Sequence, residues 1–278
     1  GALAGYIRET EVSNVHVGIT LVPKGVESSY WRPSIRGDYR VGGLVGRNDS
    51  GSIENCSNEV EVMGIEYVGG IAGSNFIESP YVSVMVSASE PMPSGYEAII
   101  TGSSNSGYIY GYAFVGGIAG GSGTTDYDGK YGYDDTATYI LECYNTGDVI
   151  YEDYSLPEAS SADVPMKFGG IAGGSSGVIS ECYNTGTVGT WWYPAEIDWD
   201  YIWAVGGIAG STSGTIENSY NIGYINGYEY VSGIVGYARD AEIVHNYNAG
   251  EITNYYYYDA LSLGEISGTY SNEIYGYL

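Results

Sequence analysis

The chain contains the stretch Val41-Gly42-Gly43-Leu44-Val45-Gly46, and near-copies of this stretch recur along its length. The copies are Val68–Gly73, Val115–Gly120, Phe168–Gly173, Val205–Gly210 and Val231–Gly236, and Gly1–Gly5 lacks only the first residue. Most copies cluster apolar residues around paired glycines, a composition typical of short strands bounded by sharp bends. A fixed element that recurs in this way indicates a repeat protein.

A second element follows each copy. Ile140–Val149 reads Ile-Leu-Glu-Cys-Tyr-Asn-Thr-Gly-Asp-Val and returns as Ile179–Val188, Ile216–Ile225 and Ile243–Ile252, with weaker copies at Val12–Leu21, Ile53–Val62 and Ile100–Ile109. No segment sustains the 3.6-residue apolar period of a helix. Strands this short cannot each bury a face alone, but stacked coils can. The sequence therefore predicts an all-β fold, a β-solenoid (β-helix) of about eight coils with a basic repeat of about 26 residues and insertion loops.

We expect a single β-solenoid domain over residues 1–278, in which the apolar residue between the glycines marks each coil. The coils are expected to start near residues 1, 42, 69, 116, 169, 206, 232 and 259. The last is a degenerate eighth unit, marked by Leu261 and extending to Ile274. The main insertions are expected at 22–40, 74–98, 121–139, 150–167 and 189–203, where the spacing between markers exceeds the basic repeat.

The composition excludes several classes of function. The 278 residues include 34 acidic and 9 basic side chains, a formal net charge of −25 at pH 7, so the chain lacks the cations that neutralise nucleic-acid phosphates. The longest apolar stretches, such as Ala113–Ala119, are interrupted by paired glycines and are too short to span a bilayer. We therefore expect no nucleic-acid partner and no transmembrane segment. Hydrophobic residues make up 44% of the chain, enough to form a core.

Together the two elements resemble the GLUG-motif repeat family of bacterial surface proteins. The pattern of that family looks like V-G-G-[IL]-[AV]-G, a short turn and I-x-[EN]-C-[YS]-N-[TS]-G-x-[VI]. The resemblance implies an extracellular or cell-surface location and a role in a stalk, in adhesion or in a surface layer. Such repeats also accompany IgA-specific metallopeptidases, but the zinc signature H-E-x-x-H is absent, since the only histidines are His16 and His245. The resemblance supplies no catalytic residues, so we expect no enzyme and no cofactor apart from a possible calcium ion.

Asparagine occupies one register of the second element. The residues are Asn58, Asn105, Asn145, Asn184, Asn221 and Asn248. Asparagine tolerates left-handed backbone conformations, and its amide can bond the same group one coil above. We therefore predict a stacked asparagine ladder at a turn, and the alternative is a ligand-binding role.

Cysteine occupies the register two positions earlier, as Cys56, Cys143 and Cys182. Small side chains fit a tight inward row, and free cysteine behaves as a small hydrophobe. Cys143 and Cys182 lie on adjacent coils at a separation that could permit a disulfide, but the parallel arrangement and the odd count favour buried thiols. No C-x-x-C pair is present, which argues against structural zinc. The two histidines fall near opposite ends of the rod, far from Cys143 and Cys182, which argues against cysteine catalysis.

One insertion is rich in carboxylates. Its candidate calcium ligands are Asp126, Asp128, Asp134 and Asp135, grouped around two glycines. Calcium prefers oxygen ligands of this type, although the spacing is not that of an EF-hand. The alternative is a solvated acidic loop.

Aromatic residues concentrate in two places. They are Trp191, Trp192, Tyr193, Trp199 and Trp203 in one insertion, and Tyr255, Tyr256, Tyr257 and Tyr258 near the C-terminus. Their rings offer flat apolar faces with a polar edge, which suit contact with a sugar or another protein. These residues are candidates for binding a glycan or a host surface protein, and the alternative is packing against their own coil.

The two ends of the chain indicate head-to-tail assembly of copies. Ile274-Tyr-Gly-Tyr-Leu278 followed by Gly1–Gly5 resembles the internal junction Ile109–Gly120, with two residues fewer. Residues 1–47 contain six basic and four acidic residues, whereas the rest of the chain is strongly acidic, so a basic first coil would face an acidic last coil. The candidate assembly residues are Gly1, Leu3, Arg8, Arg36, Arg40, Ile274, Tyr275, Tyr277 and Leu278. The alternative is that the chain is a window of one longer repeat protein.

The sequence thus favours an extracellular structural protein that forms a head-to-tail fibre, stalk or surface layer with other copies of itself. The alternative is a cell-surface adhesin whose Tyr- and Trp-rich insertion loops bind glycan or host protein. A polysaccharide-acting β-helix enzyme is disfavoured, because only Lys130, Lys167 and Arg239 supply positive charge after residue 47.

Overall fold

The structure of the chain is a computed structural model that describes residues 1–18, 33–77, 97–123, 137–151, 166–190, 204–254 and 263–264. These residues form 35 short strands and no helix, so none of them belongs to a helix that could cross a membrane. Five consecutive strands make one coil, and the described residues therefore contain seven coils. The prediction of an all-β β-solenoid is confirmed.

The first four coils contain 20 strands. Coil 1 contains β1 (Ala4–Arg8), β2 (Glu11–Ser13), β3 (His16–Val17), β4 (Ser34–Arg36) and β5 (Tyr39–Gly42). Coil 2 contains β6 (Val45–Asp49), β7 (Ser52–Glu54), β8 (Ser57–Asn58), β9 (Glu61–Met63) and β10 (Glu66–Gly69). Coil 3 contains β11 (Ala72–Phe76), β12 (Ala98–Thr101), β13 (Ser104–Asn105), β14 (Ile109–Gly111) and β15 (Ala113–Gly116). Coil 4 contains β16 (Ala119–Ser122), β17 (Thr138–Leu141), β18 (Tyr144–Asn145), β19 (Val149–Tyr151) and β20 (Lys167–Gly169).

The last three coils follow the same order. Coil 5 contains β21 (Ala172–Ser175), β22 (Val178–Ser180), β23 (Tyr183–Asn184), β24 (Val188–Gly189) and β25 (Ala204–Gly206). Coil 6 contains β26 (Ala209–Thr212), β27 (Thr215–Glu217), β28 (Tyr220–Asn221), β29 (Ile225–Gly227) and β30 (Tyr230–Ser232). Coil 7 contains β31 (Val235–Ala238), β32 (Glu242–Val244), β33 (Tyr247–Asn248), β34 (Ile252–Asn254) and β35 (Leu263–Gly264).

Equivalent strands of successive coils pair in parallel and form five seven-stranded sheets. We number them sheets 1 to 5, so that sheet 1 contains the first strand of every coil and sheet 5 the fifth. The repeat stays in register across these pairings: in sheet 5, Val68 pairs with Val41 on one side and with Val115 on the other. The pairing register thus follows the sequence repeat, whatever the length of chain between the copies.

Two apolar clusters fill the interior. One is formed by sheets 1 and 2 and the bends beside them, and it includes Ile71, Ile118 and Ile171. The other is formed by sheets 4 and 5, and it includes Val149 and Val188. Eight of the residues in these clusters are 0% exposed: Ile53, Ile71, Ile118, Val149, Ile171, Val188, Ile208 and Ile225. Burial of these stacked side chains is the main favourable contribution to the stability of the fold.

The predicted insertions are shorter than expected. Ser34–Arg36, assigned to the insertion 22–40, forms β4 and pairs with Glu61–Met63, since Ile35 packs against the second apolar cluster. Residues 39–40, 74–76, 98, 121–122, 138–139, 150–151, 167 and 189 also belong to strands. The inner edges of the insertions therefore continue the coils.

The expected start of the last coil, near residue 259 and marked by Leu261, is wrong. Leu263 pairs with Val231 and Gly264 with Ser232, so these residues are the fifth strand of coil 7. The sequence explains the shift, because Leu263-Gly-Glu-Ile-Ser-Gly268 retains the V-G-x-I-x-G pattern. The rest of the expected eighth unit lies outside the described residues.

Candidate functional site

The asparagine register forms a continuous row of hydrogen bonds along sheet 3. From Asn58 to Asn248, each side-chain Nδ2 donates to the Oδ1 of the next coil at 2.8–2.9 Å. Each Nδ2 also donates to the backbone carbonyl two residues later, as from Asn145 to Gly147 at 2.7 Å. The interior amides are buried and bonded on both sides, as buried polar groups require. The row stabilises the stack and offers no free interior amide to a ligand.

The backbone of this row differs from the expected one. None of the six asparagines has a positive φ, so the expectation of a left-handed ladder position is wrong. The positive φ angles lie three residues earlier, in the bend between sheets 2 and 3, at Asn55 (51°), Glu142 (53°) and Glu181 (55°). The ladder asparagines instead lie in two-residue strands, where the parallel pairing sets equivalent amides one above another.

The three cysteines are buried and unbonded. The Cys143 backbone N–H donates to Cys182 Sγ at 3.4 Å, and the Cys143 thiol donates to the Leu141 carbonyl at 3.1 Å. Burial raises the pKa of the Cys143 thiol well above its ordinary value, and the neighbouring Cys182 raises it further. Since a nucleophilic cysteine needs its thiolate form, this row serves as part of the core.

A histidine, a serine and a glutamate meet on the surface of coils 1 and 2, which the sequence analysis did not anticipate. His16 Nδ1 lies 2.7 Å from Ser57 Oγ, and His16 Nε2 lies 3.8 Å from Glu59 Oε2. The pairing of His16 with Ser57 in sheet 3 brings them together. The His16 and Glu59 side chains are 53% and 52% exposed, so the group lacks the enclosed, water-excluding surroundings that strengthen a catalytic triad. We interpret it as a solvated surface contact.

A cationic cavity of about 400 Å³ lies at coil 1. Its polar lining consists of Arg36, Arg40, Arg47, Tyr6 and Tyr39, and the remaining lining residues are Gly1, Gly5, Ile35, Gly37, Val41 and Gly46. Six lysines and arginines fall within the described residues of this acidic chain, and three of them line this cavity. The structure thus brings together the predicted assembly residues Gly1, Arg36 and Arg40.

The buried carboxylate of Asp49 orders the side chains beside this cavity. Tyr6 Oη donates to Asp49 Oδ2 at 2.8 Å, and Arg47 and Arg8 approach the same oxygen at 3.8 and 3.9 Å. The hydrogen bond to Asp49 is the main cause that raises the pKa of Tyr6. The Arg47 guanidinium also lies 5.5 Å from the centroid of the Tyr6 ring and 5.0 Å from that of Phe76, within the range of cation–π attraction. These contacts hold Arg47 in place.

The other predicted site residues have different locations. Leu3 is 50% exposed on coil 1, and Arg8 contacts Asp49 rather than lining the cavity. The calcium candidates Asp126, Asp128, Asp134 and Asp135, the aromatic candidates Trp191, Trp192, Tyr193, Trp199, Trp203 and Tyr255–Tyr258, and the assembly residues Ile274, Tyr275, Tyr277 and Leu278 all lie outside the described residues. Within the part of the chain that the structure describes, no three acidic, histidine or cysteine side chains are grouped to hold a metal ion.

A row of tyrosines on sheet 3 was missed by the sequence analysis. Tyr144, Tyr183, Tyr220 and Tyr247 pair in register. The rings of the first three stack at 4.9 and 5.0 Å between centroids, with interplanar angles of 2° and 5°. The repeated Cys-Tyr-Asn could have predicted this row. Side chains alternate along a strand, so the tyrosine points to the side opposite the cysteine and the asparagine that flank it. The faces of the stacked rings cover one another, so these rings do not offer the open face on which a sugar stacks.

Comparison with known proteins supports the repeat assignment. The family model of the GLUG motif matches residues 37–63, a stretch that runs from coil 1 into coil 2 and makes one full turn of the solenoid. This match confirms the resemblance to the GLUG-repeat family. No curated protein sequence matches the chain significantly.

The fold also has a counterpart among solved structures. The 1.30 Å crystal structure of a "putative immunoglobulin A1 protease from Bacteroides ovatus" aligns with a TM-score of 0.50 and 17% sequence identity, covering 98% of this chain and 74% of that chain. At this identity the likeness shows the fold alone. The chain is thus a β-solenoid protein that carries a GLUG motif.

Proposed function

We propose that the protein is an extracellular structural β-solenoid whose copies assemble head to tail into a fibre, stalk or surface layer. The observation that carries this proposal is the stack itself. In all five sheets, the equivalent strands of successive coils pair in parallel and in register. Each coil thus contacts only its neighbours along one axis, an arrangement that suits an extended structural element.

Charge supports contact between unlike ends. The described part of coil 1 balances its three arginines with three acidic residues, Glu9, Glu11 and Asp38, and presents the cationic cavity, whereas the described part of coil 7 has one cation, Arg239, and three carboxylates, those of Asp240, Glu242 and Glu251. Opposite charge favours an oriented encounter of the two ends. A contact between two different surfaces that does not close into a ring produces a filament.

The extracellular location is supported by the GLUG motif, through the resemblance to bacterial surface proteins. An adhesin or an enzyme has less support. The aromatic residues proposed for adhesion lie outside the described residues, and the described Ser57–His16–Glu59 group is solvated.

Charge reversal tests the proposal. The double variant Arg36→Glu/Arg40→Glu should shift sedimentation of the purified chain from polymer towards monomer, and the effect should be larger at low salt because screening weakens exposed charge contacts. Arg239→Glu is the matched control: it makes coil 7 more acidic and should leave assembly intact. A wild-type chain that stays strictly monomeric at high micromolar concentration, or polymer that is unchanged in the double variant, would count against the proposal.

A further inference from the structure

We propose that three tyrosines of sheet 3, Tyr144, Tyr183 and Tyr220, form a site of oxidative crosslinking. Oxidation by peroxide would join the ring of Tyr183 to the ring of Tyr144 or Tyr220 through a carbon–carbon bond, which is a dityrosine. This bond would link coil 5 covalently to coil 4 or to coil 6. The inference rests on contacts between interior coils of one copy, so it is independent of the proposed assembly.

The strand register holds the three rings as neighbours. Tyr144 pairs with Tyr183, and Tyr183 pairs with Tyr220. The ring centroids are 4.9 and 5.0 Å apart and the ring planes are inclined by only 2° and 5°, so the rings repeat at the spacing of adjacent strands. The asparagine that follows each tyrosine is hydrogen bonded to its equivalent on the next coil at 2.8–2.9 Å. The backbone beneath the rings is therefore fixed, and the reacting groups are held together before the reaction.

The row is accessible to an oxidant on the outer side of sheet 3. Tyr144 and Tyr220 are 36% and 39% exposed, and Tyr183, which stacks between them, is half-buried. Within the part of the chain that the structure describes, no group forms a hydrogen bond with the three hydroxyls, so water can accept their protons. The thiols of Cys143 and Cys182, one residue earlier in each strand, are buried. Because these thiols are shielded, they do not compete with the tyrosines for the oxidant.

The reaction removes two hydrogen atoms in total. Each tyrosine gives up one electron and its hydroxyl proton, which leaves a phenoxyl radical whose unpaired electron is shared with the two Cε atoms. Two such radicals pair their electrons in a new Cε–Cε bond, and the hydrogens on these two carbons then move to the two oxygens. Hydrogen peroxide, used by a haem peroxidase, accepts the two electrons and the two protons and leaves as two water molecules.

The stacked rings must turn before the bond can form. Stacking places the ring faces against each other, whereas the new bond joins the Cε edges of the two rings. Each ring reaches this arrangement by rotation about its Cβ–Cγ bond, and exposed side chains make such rotations within picoseconds to nanoseconds. The rotation leaves the Cα and Cβ atoms in place, so the parallel pairing and the asparagine row are retained.

A dityrosine would fasten coils that no disulfide fastens. All three cysteines of the chain are buried and unbonded. A bond from Tyr183 to Tyr144 or Tyr220 closes a long loop of the chain, which lowers the conformational entropy of the unfolded chain as a disulfide does. The crosslinked chain should therefore melt at least about 5 °C above the unmodified chain.

Peroxidase treatment followed by peptide mapping tests the inference. An equal mixture of isotope-labelled and unlabelled full chain, dilute enough to be monomeric, is treated with hydrogen peroxide and a haem peroxidase. Cleavage after Glu142, Glu181 and Glu217 then places the three tyrosines on separate peptides. The expected product is two peptides of one copy joined through Tyr183, two hydrogens lighter than the separate peptides together. No dityrosine, dityrosine at other tyrosines only, or dityrosine only between copies would overturn the inference.

A pair of phenylalanine variants identifies the reacting ring. Tyr183→Phe keeps a ring in the stack but removes the hydroxyl that yields the radical, so both links and the rise in melting temperature should be lost. Tyr247→Phe is the matched control, in the same register and 62% exposed, and it should crosslink at Tyr183 like wild type. An oxidised wild type that melts no higher than oxidised Tyr183→Phe, or a Tyr247→Phe variant that loses the links at Tyr183, would overturn the inference.

Discussion

Coil 4 and coil 1 contain equivalent sets of five strands, but two equivalent positions in them have different surroundings. In coil 4, Asn145 is hydrogen bonded to asparagines on both sides, and the backbone of sheet 5 lies against Gly120. In coil 1, Val17 occupies the asparagine register, and the space beside Gly5 is open. Repetition therefore gives each interior coil an in-register neighbour on both sides, and the contribution of a residue to stability should depend on whether both neighbours are present.

The largest difference in stability between a variant of an interior coil and a variant of coil 1 should come from burying a charge. Ile171→Asp places an unpaired carboxylate at a position that is 0% exposed, and we expect a loss of more than about 3 kcal/mol in the free energy of unfolding. Leu3→Asp, at a position that is 50% exposed on coil 1, should change it by less than about 1 kcal/mol. Urea unfolding followed by circular dichroism measures both. An Ile171→Asp variant as stable as wild type would mean that the assigned register is wrong.

In the asparagine row, a substitution at an interior rung should also cost more stability than one at the last rung, although both costs should be smaller than that of the buried charge. Asn145→Ala leaves Asn105 Nδ2 with only the Gly107 carbonyl as acceptor and removes the donor to Asn184 Oδ1 in the core, which should cost about 2 to 3 kcal/mol. Asn248→Ala removes the last rung, which is only partly buried, so water can replace the lost partner and the cost should be about 1 kcal/mol. Equal urea midpoints for the two variants would contradict a row whose interior rungs depend on both neighbours.

A partly buried cation in sheet 5, Lys167, should make stability depend on pH. Burial lowers the pKa of Lys167 from 10.5 to about 8. Between these values the unfolded chain binds the proton more tightly, so the free energy of unfolding should rise as the pH increases from about 8 towards 10.5. At pH 7 the charged form is disfavoured by burial, and Lys167→Met should stabilise the fold by about 1 to 2 kcal/mol.

The gain from Lys167→Met should shrink between pH 7 and pH 9.5 in thermal melts recorded across that range. Arg239→Met, whose parent side chain is 68% exposed, should change stability by less than about 0.5 kcal/mol at every pH. A constant gain from Lys167→Met across the range would show that Lys167 is not the titrating group.

The smallest effect is expected from the tyrosine row. Tyr183 stacks on Tyr144 and Tyr220, so Tyr183→Ser should cost about 0.5 to 1.5 kcal/mol. Tyr247 is 62% exposed near the end of the row, and Tyr247→Ser should have almost no effect on the melting temperature. A larger effect at Tyr247 than at Tyr183 would show that ring stacking does not determine the contribution.

Much of the fold could be predicted because identical residues at equivalent positions force the strands into register. Asn58 and Asn105 are 47 residues apart, yet the repeat predicts their pairing as reliably as for closer copies. The inward row of cysteines followed from the same alignment, since small side chains recur two positions before the asparagines.

Other features of the structure could not be predicted from the repeat, because no recurring residue type marks them. The left-handed positions are occupied by residues such as Glu142 and Glu181, whose type does not predict a positive φ. Ser34–Arg36 lacks the repeat pattern and becomes a strand only because coil 2 offers it a partner. The cavity at coil 1 is lined by residues from four separate strands and the segments beside them, and no local motif marks their meeting.

The central claim is the proposed head-to-tail assembly of copies, and cryo-electron microscopy of assembled wild-type material tests it most directly. Seven described coils at about 4.8 Å each, with up to one further coil per copy, predict filaments with a rise of about 34 to 40 Å per copy. The basic end of each copy should face the acidic end of the next copy. Monomeric particles only, or filaments in which two identical ends meet, would contradict the account.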